Sequence, residues 1–99
     1  MTKIFFGDRC MLEVTELPSL TGTEKQVAWA EDIRAFAINE MRRAFDHMRT
    51  AKNINDSADL DRGAEFAHKT FAPLFDTKTE AKYWIDNRNT DIRTLAKSL

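Results

Sequence analysis

TGTEKQVAWAEDIRAFAINEMRRAFDHMRTAK, residues 21–52, is the stretch on which the fold turns. Thr23 stands three residues before Gln26, the spacing of a capping box, in which each side chain takes up a backbone N–H left open by the first helical turn. Gly22 just ahead permits a sharp turn into the helix. From Glu24 there is no Gly or Pro until Gly63. Val27, Ala30, Ile33, Ala37, Met41, Ala44 and Met48 recur at steps of three and four, which defines one helical face. At 100° per residue, Trp29 and Phe36 flank that stripe on one side, and Ile38 and Phe45 on the other. Glu31, Asp32, Asn39, Arg42, Arg43, Asp46 and Arg49 occupy the opposite arc. The apolar arc is wider than a surface helix needs. The pattern predicts one long helix within 23–52. Some 25 residues of it would measure about 38 Å, at least the diameter of a domain this size. It is expected to be a central helix contacted from two sides, or one that projects into a partner.

Outward from this helix the signals are shorter. Lys3 to Phe6 and Met11 to Val14 are apolar and partly β-branched or aromatic, with Gly7-Asp8 between them, so residues 1–20 are expected to form a small hairpin or an extended arm. Pro18 disfavours helix at Leu17 and marks a connector. After the long helix, Asn53 to Ser57 breaks the pattern. Ser57 or Asp59 is expected to cap a second helix whose face is Leu60, Ala64, Ala67, Phe71 and Leu74, with Phe66 and Phe75 beside it. Pro73 is expected to kink or end that helix near Phe71. Thr77 and Glu80 have capping-box spacing for a third helix with Ala81, Trp84 and Ile85 on its face. Asp91 to Leu99 is expected to form a last short helix burying Ile92, Leu95 and Leu99. The fold class is therefore mainly α: a single domain over 1–99, a small helical bundle around one long helix, with shorter helices over 57–99.

Composition agrees. Ninety-nine residues fit one domain. Leu, Ile, Val and Phe number 22, enough for one modest core. Fifteen basic and sixteen acidic residues give a net charge of −1, so no overall field calls for nucleic acid or an anionic membrane. Ile4 to Phe6 is too short an apolar run for a signal peptide, and no window approaches the ~20 apolar residues of a membrane span. Cys10 is the only cysteine, which excludes an internal disulfide and suits a reducing cytosol.

Chemistry-bearing motifs are scarce. The three glycines are not grouped into a phosphate loop, and HExxH and paired CxxC are absent. Asn55, Asp56, Asp59 and Asp61 lack the spacing and the glycine of a calcium loop; acids there suit the positive N-terminus of a helix. Glu40 and His47 share one side of the long helix, and His68 lies on the second; each reads first as an amphipathic edge position. No cofactor and no metal is expected. Arg42, Arg43, Arg49 and Lys52 cluster at the C-terminal end of the long helix with only Asp46 against them. Cations there complement the helix dipole, and the same group offers a surface to phosphates or to an acidic protein. Trp29 and Trp84 are expected to anchor one core if their helices meet, though Trp is also enriched at interfaces. Arg34 falls on the apolar side and calls for a carboxylate, with Asp86 a candidate. Arg88 is expected to pair with Glu31 or Asp32.

Two strings, LTGTEKQVAWAEDIR (residues 20–34) and AKYWIDNR (residues 81–88), resemble segments of small bacterial proteins found in phage and mobile-element neighbourhoods. The matching positions are Thr21, Gly22, Glu24, Lys25, Gln26, Trp29, Ala30, Glu31, Ile33 and Arg34, then Trp84, Ile85, Asp86, Asn87 and Arg88. Relatives of that kind often carry a cysteine-paired segment ahead of the first string; with Cys10 alone, a zinc site is not supported here. The resemblance implies a non-enzymatic protein that binds host machinery, such as an anti-CRISPR-like inhibitor acting by occlusion. A protein partner is expected, met first by Arg42, Arg43, Arg49 and Lys52, then by Lys25, Gln26, Asn87 and Arg88. Nucleic-acid binding through the basic helix end is the alternative, and an enzyme or small-ligand binder using Glu40, His47 or His68 a third.

Overall fold

The Thr23–Gln26 cap forms as expected in the computed structural model, which describes residues 1–7, 11–51 and 57–99. The Gln26 amide donates to Thr23 Oγ1 at 3.2 Å, and the Thr23 amide donates to Gln26 Oε1 at 3.1 Å. From that cap α1 runs unbroken over Glu24–Ala51, 28 residues. At 1.5 Å per residue it is about 42 Å long, nearly the 44 Å long axis of the molecule. It buries Ala30, Arg34, Met41 and Phe45. Ala44 and Met48, at the far end of the sequence stripe, are exposed.

Strands β1 (Lys3–Phe6) and β2 (Leu12–Thr15) pair antiparallel, with Ile4 opposite Val14 and Phe6 opposite Leu12. Alternation sends those four residues inward and Lys3, Phe5, Glu13 and Thr15 outward. A two-stranded ribbon is marginal alone, and this one is anchored to the second helix, α2 (Ser57–Thr77). The backbone amide and the hydroxyl of buried Thr2 both donate to Asp76 Oδ1 at 2.8 Å. Burial pushes the Asp76 carboxyl up, and the two Thr2 bonds oppose it. With the charges of the amino terminus and His68 added, the carboxyl is held below its ordinary range.

Helix α2 spans Ser57–Thr77 and passes through Pro73. The helix does not end near Phe71. Pro73 is exposed, so the backbone bond it cannot make to the Lys69 carbonyl is lost on the solvent side. The turn beyond it buries Leu74 and Phe75 completely. Continuing the helix therefore gains more apolar burial than the missing bond costs. Thr77 consequently ends α2, its hydroxyl donating to the Pro73 carbonyl at 2.6 Å, and does not cap the next helix. Helix α3 (Ala81–Asp86) begins after Glu80 with no side-chain cap. Its start is fixed by the chain ahead of α1 instead. The Thr21 amide donates to Thr79 O and the Ala81 amide to Thr21 O, both at 2.8 Å. Gly22, at φ +148°, lies where a Cβ would sit 3.1 Å from the Ala81 methyl. The two strings of the sequence resemblance thus meet at their beginnings. Helix α4 (Ile92–Lys97) is capped by Asp91, which accepts from the Arg93 amide at 2.8 Å. It buries Ile92 and Leu95, while Leu99 lies past its end and is exposed.

The core joins all of these elements. Phe45 meets Phe71 edge-on at 6.4 Å, and Phe75 stacks on Trp84 at 5.8 Å and 12°. Trp84 is 1% exposed and its indole donates to Lys78 O at 2.8 Å. Trp29 does not share that core; it is 49% exposed. Phe66, beside the apolar face of α2, also points out. Arg34 is buried as its position requires, but its partner is the Pro18 carbonyl at 2.8 Å and not Asp86. Burial lowers the Arg34 pKa, opposed by the nearby charge of Glu31. Its bond ties the connector to α1.

Candidate partner-binding face

Helix α1 buries one side, at Ala30, Arg34, Met41 and Phe45, and Trp29 and Phe36 stand about 140° round from it, seven residues apart and so on one line. Helix α3 covers the neighbouring flank at Ala30 and leaves both rings in solvent; Phe36 is 64% exposed. Between this line and the chain joining α3 to α4 runs a groove of about 680 Å³. Its floor is apolar, formed by Phe45, Phe71, Trp84, Ile92 and Leu95. One wall is α1 from Ile33 to His47, and the other is the segment Asn87 to Arg93.

Local bonds hold the second wall. The Asn87 side-chain amide donates to Tyr83 O at 2.8 Å, and Arg88 Nη1 donates to Ile85 O at 2.7 Å. The Arg88 guanidinium lies 5.3 Å from the centroid of the Trp29 ring. This contact replaces the expected pairing with Glu31 or Asp32. A cation over an exposed indole contributes about 0.5–1 kcal/mol and keeps most of its donors for another acceptor. Arg43, on the α1 wall, holds Glu40 at 3.1 Å and stays largely in water.

The eight residues singled out in the sequence therefore divide. Arg43, Asn87 and Arg88 line this groove. Arg42 faces the hairpin, where it pairs with Glu13 at 3.6 Å, and lines a smaller hollow of about 370 Å³ with Phe6, Met11 and Asp46. Arg49 pairs with Asp46 at 3.2 Å. The Nε of Arg42 and that of Arg49 are buried without an acceptor among the described residues. Lys52 lies outside the described residues, as does Cys10. Lys25 is exposed in the first turn of α1, and Gln26 is occupied in the cap. Each described arginine of the basic cluster thus holds a carboxylate of its own chain. Such exposed pairs are weak, yet they lower the net field that phosphates would meet.

Of the catalytic candidates, Glu40 and His47 both line the groove and His68 does not. Glu40 bonds Arg43 and not His47, and His68 is exposed on α2. Among the described residues no group of three His, Cys, Asp or Glu side chains is placed to hold a metal, and no helix is long and apolar enough to cross a membrane. No family model, curated protein or solved structure matches this chain. Trp29, weighed in the sequence between core and interface, and Phe36, noted there only as a flanking aromatic, are the two large rings that the fold leaves exposed on this face. Their signal was present, since both stand beside the buried stripe, but the stripe alone does not say which flank is left uncovered.

Proposed function

We propose that this chain is a non-enzymatic binding protein, and that it works by covering a surface of a partner protein with the Trp29–Phe36 face of α1 and the adjoining groove. The observation that carries this reading is the exposure of two large aromatic rings on one helix line, one of them already stacked on an arginine. Aromatic residues and arginine dominate the energetics of protein interfaces because they bury much area at little entropic cost. The apolar floor would receive side chains of the partner, and Arg43 and Arg88 would meet its polar rim. The finer reading, an inhibitor of host machinery encoded by a phage or mobile element, draws on the resemblance of residues 20–34 and 81–88.

Capture from bacterial lysate tests the binding step. Immobilised protein should retain a discrete partner that the Trp29→Glu/Phe36→Glu variant, with an unchanged helical circular-dichroism signal, loses. Equal capture by both forms would place the contact elsewhere. Inhibition is tested separately: one equivalent of protein should abolish the purified partner's activity. A bound partner that keeps full activity would leave a binding protein that is not an inhibitor.

A further inference from the structure

The Trp29–Phe36 line has a second property: with the row of residues beside it, it has the alternating three-and-four spacing of a helix-pairing seam. Trp29, Phe36 and Arg43 fall at one heptad position, and Gln26, Ile33, Glu40 and His47 fall four residues after or three before them. These are the two positions that form a seam between paired helices. The seam is apolar in its middle, at exposed Phe36 and at Ile33, which is partly packed against the core, and polar toward its C-terminal end, at Glu40, Arg43 and His47.

We infer that this face of α1 is self-complementary and pairs antiparallel with the same face of a second copy of the chain. The inference rests on the reading of the face as a protein-contact surface and names its occupant in the isolated protein. Charge decides the direction. Parallel pairing would set Glu40 and Arg43 each against its own equivalent, two like-charge contacts along one seam. Antiparallel pairing about a two-fold axis between Ile33 and Phe36 sets each Ile33 against the opposite Phe36. Trp29, with Arg88 stacked on it, then meets Glu40 of the second copy, Arg43 meets Gln26, and Lys25 comes near Asp46. Opposite charges adjoin at both ends and the apolar pair fills the centre. One patch serves both protomers, as a two-fold interface requires. From Lys25 to His47 the seam is about 33 Å long, with the loop from Asn87 to Thr90 beside it. This is a small interface, so association should be concentration-dependent in the micromolar range.

Sedimentation equilibrium of the purified protein from roughly 5 to 300 μM tests this. The mass should rise from the 11.4 kDa monomer toward twice that value. Phe36→Glu, on an exposed position, should keep its helical signal and stay monomeric throughout. Lys25→Glu should weaken association several-fold, and Lys25→Glu combined with Asp46→Lys should restore it. Wild type that remains at the monomer mass at the top concentration overturns the inference, as does a Phe36→Glu protein that still dimerises. Neither result touches the proposed function, which stands or falls on capture of a different protein. Loss of that capture with a dimer retained would remove the function and leave the pairing.

Discussion

Trp84→Phe probes the joint where α2, α3 and the core meet, and its cost follows from two contacts. The indole N–H that bonds Lys78 O at 2.8 Å disappears, leaving a half-buried carbonyl without its donor, worth about 1 kcal/mol. A phenyl ring preserves the stack on Phe75, now at 5.8 Å, but fills less space in a site that is 1% exposed. The residual void adds roughly 1 kcal/mol. The sum, about 2 kcal/mol, should lower Tm by roughly 8–16 °C in a domain of this size. Trp84→Ala removes the stack as well and should cost about 4–6 kcal/mol, a large share of the ~5–15 kcal/mol that holds such a domain folded. Urea unfolding followed by circular dichroism at 222 nm reads both variants. A Trp84→Phe protein within 0.5 kcal/mol of wild type would refute the reasoning, because neither the bond to Lys78 nor the fit against Phe75 would then matter.

Three further outcomes follow from the geometry. Pro73→Ala returns an N–H to the interior of α2 and should raise stability by about 1–2 kcal/mol in thermal unfolding, the helix gain being partly offset by a freer unfolded chain; a loss would show that the proline is needed where it stands. Asp76 has a carboxyl pKa held below its ordinary 3.8, so its contribution is fully present above that value and is lost as pH falls through the lower, folded-state value. Asp76→Asn should therefore be less stable than wild type at pH 7 and should flatten the acid limb of a stability–pH curve; an unchanged limb would contradict the Thr2–Asp76 account. Gly22→Ala forces a Cβ against Ala81 at a positive φ and should cost about 1–2 kcal/mol, seen as a lower urea midpoint; a neutral result would mean that the two helix starts are loosely joined.

Much of the fold was legible because it rests on local chemistry. The Thr23–Gln26 cap, the three-and-four spacing through Met41 and the short alternating strands each specify their element within a few residues. The departures came where tertiary burial overrode a local rule. Pro73 should stop a helix, yet Leu74 and Phe75 are buried only if α2 continues. Thr77 has the spacing of a cap, but its hydroxyl closes the preceding helix. Arg34 calls for a charge and finds a carbonyl, that of Pro18 in the connector. The candidate site was half legible. Arg43, Asn87 and Arg88 were marked by type and resemblance, and the structure brings them to one groove. Trp29 and Phe36 were visible as flanking aromatics, but which flank stays open depends on where α3 lies, and only the long-range Thr21–Ala81 pairing fixes that.

The central claim is that this aromatic line is where the protein meets other chains. A photo-crosslinking residue placed at Phe36 and activated in living bacteria reads it directly, with the exposed Lys69 on α2 as the control position. A discrete protein adduct should form from position 36 and be absent from position 69. Adducts of the same pattern and yield from both positions, or none from position 36, would contradict it.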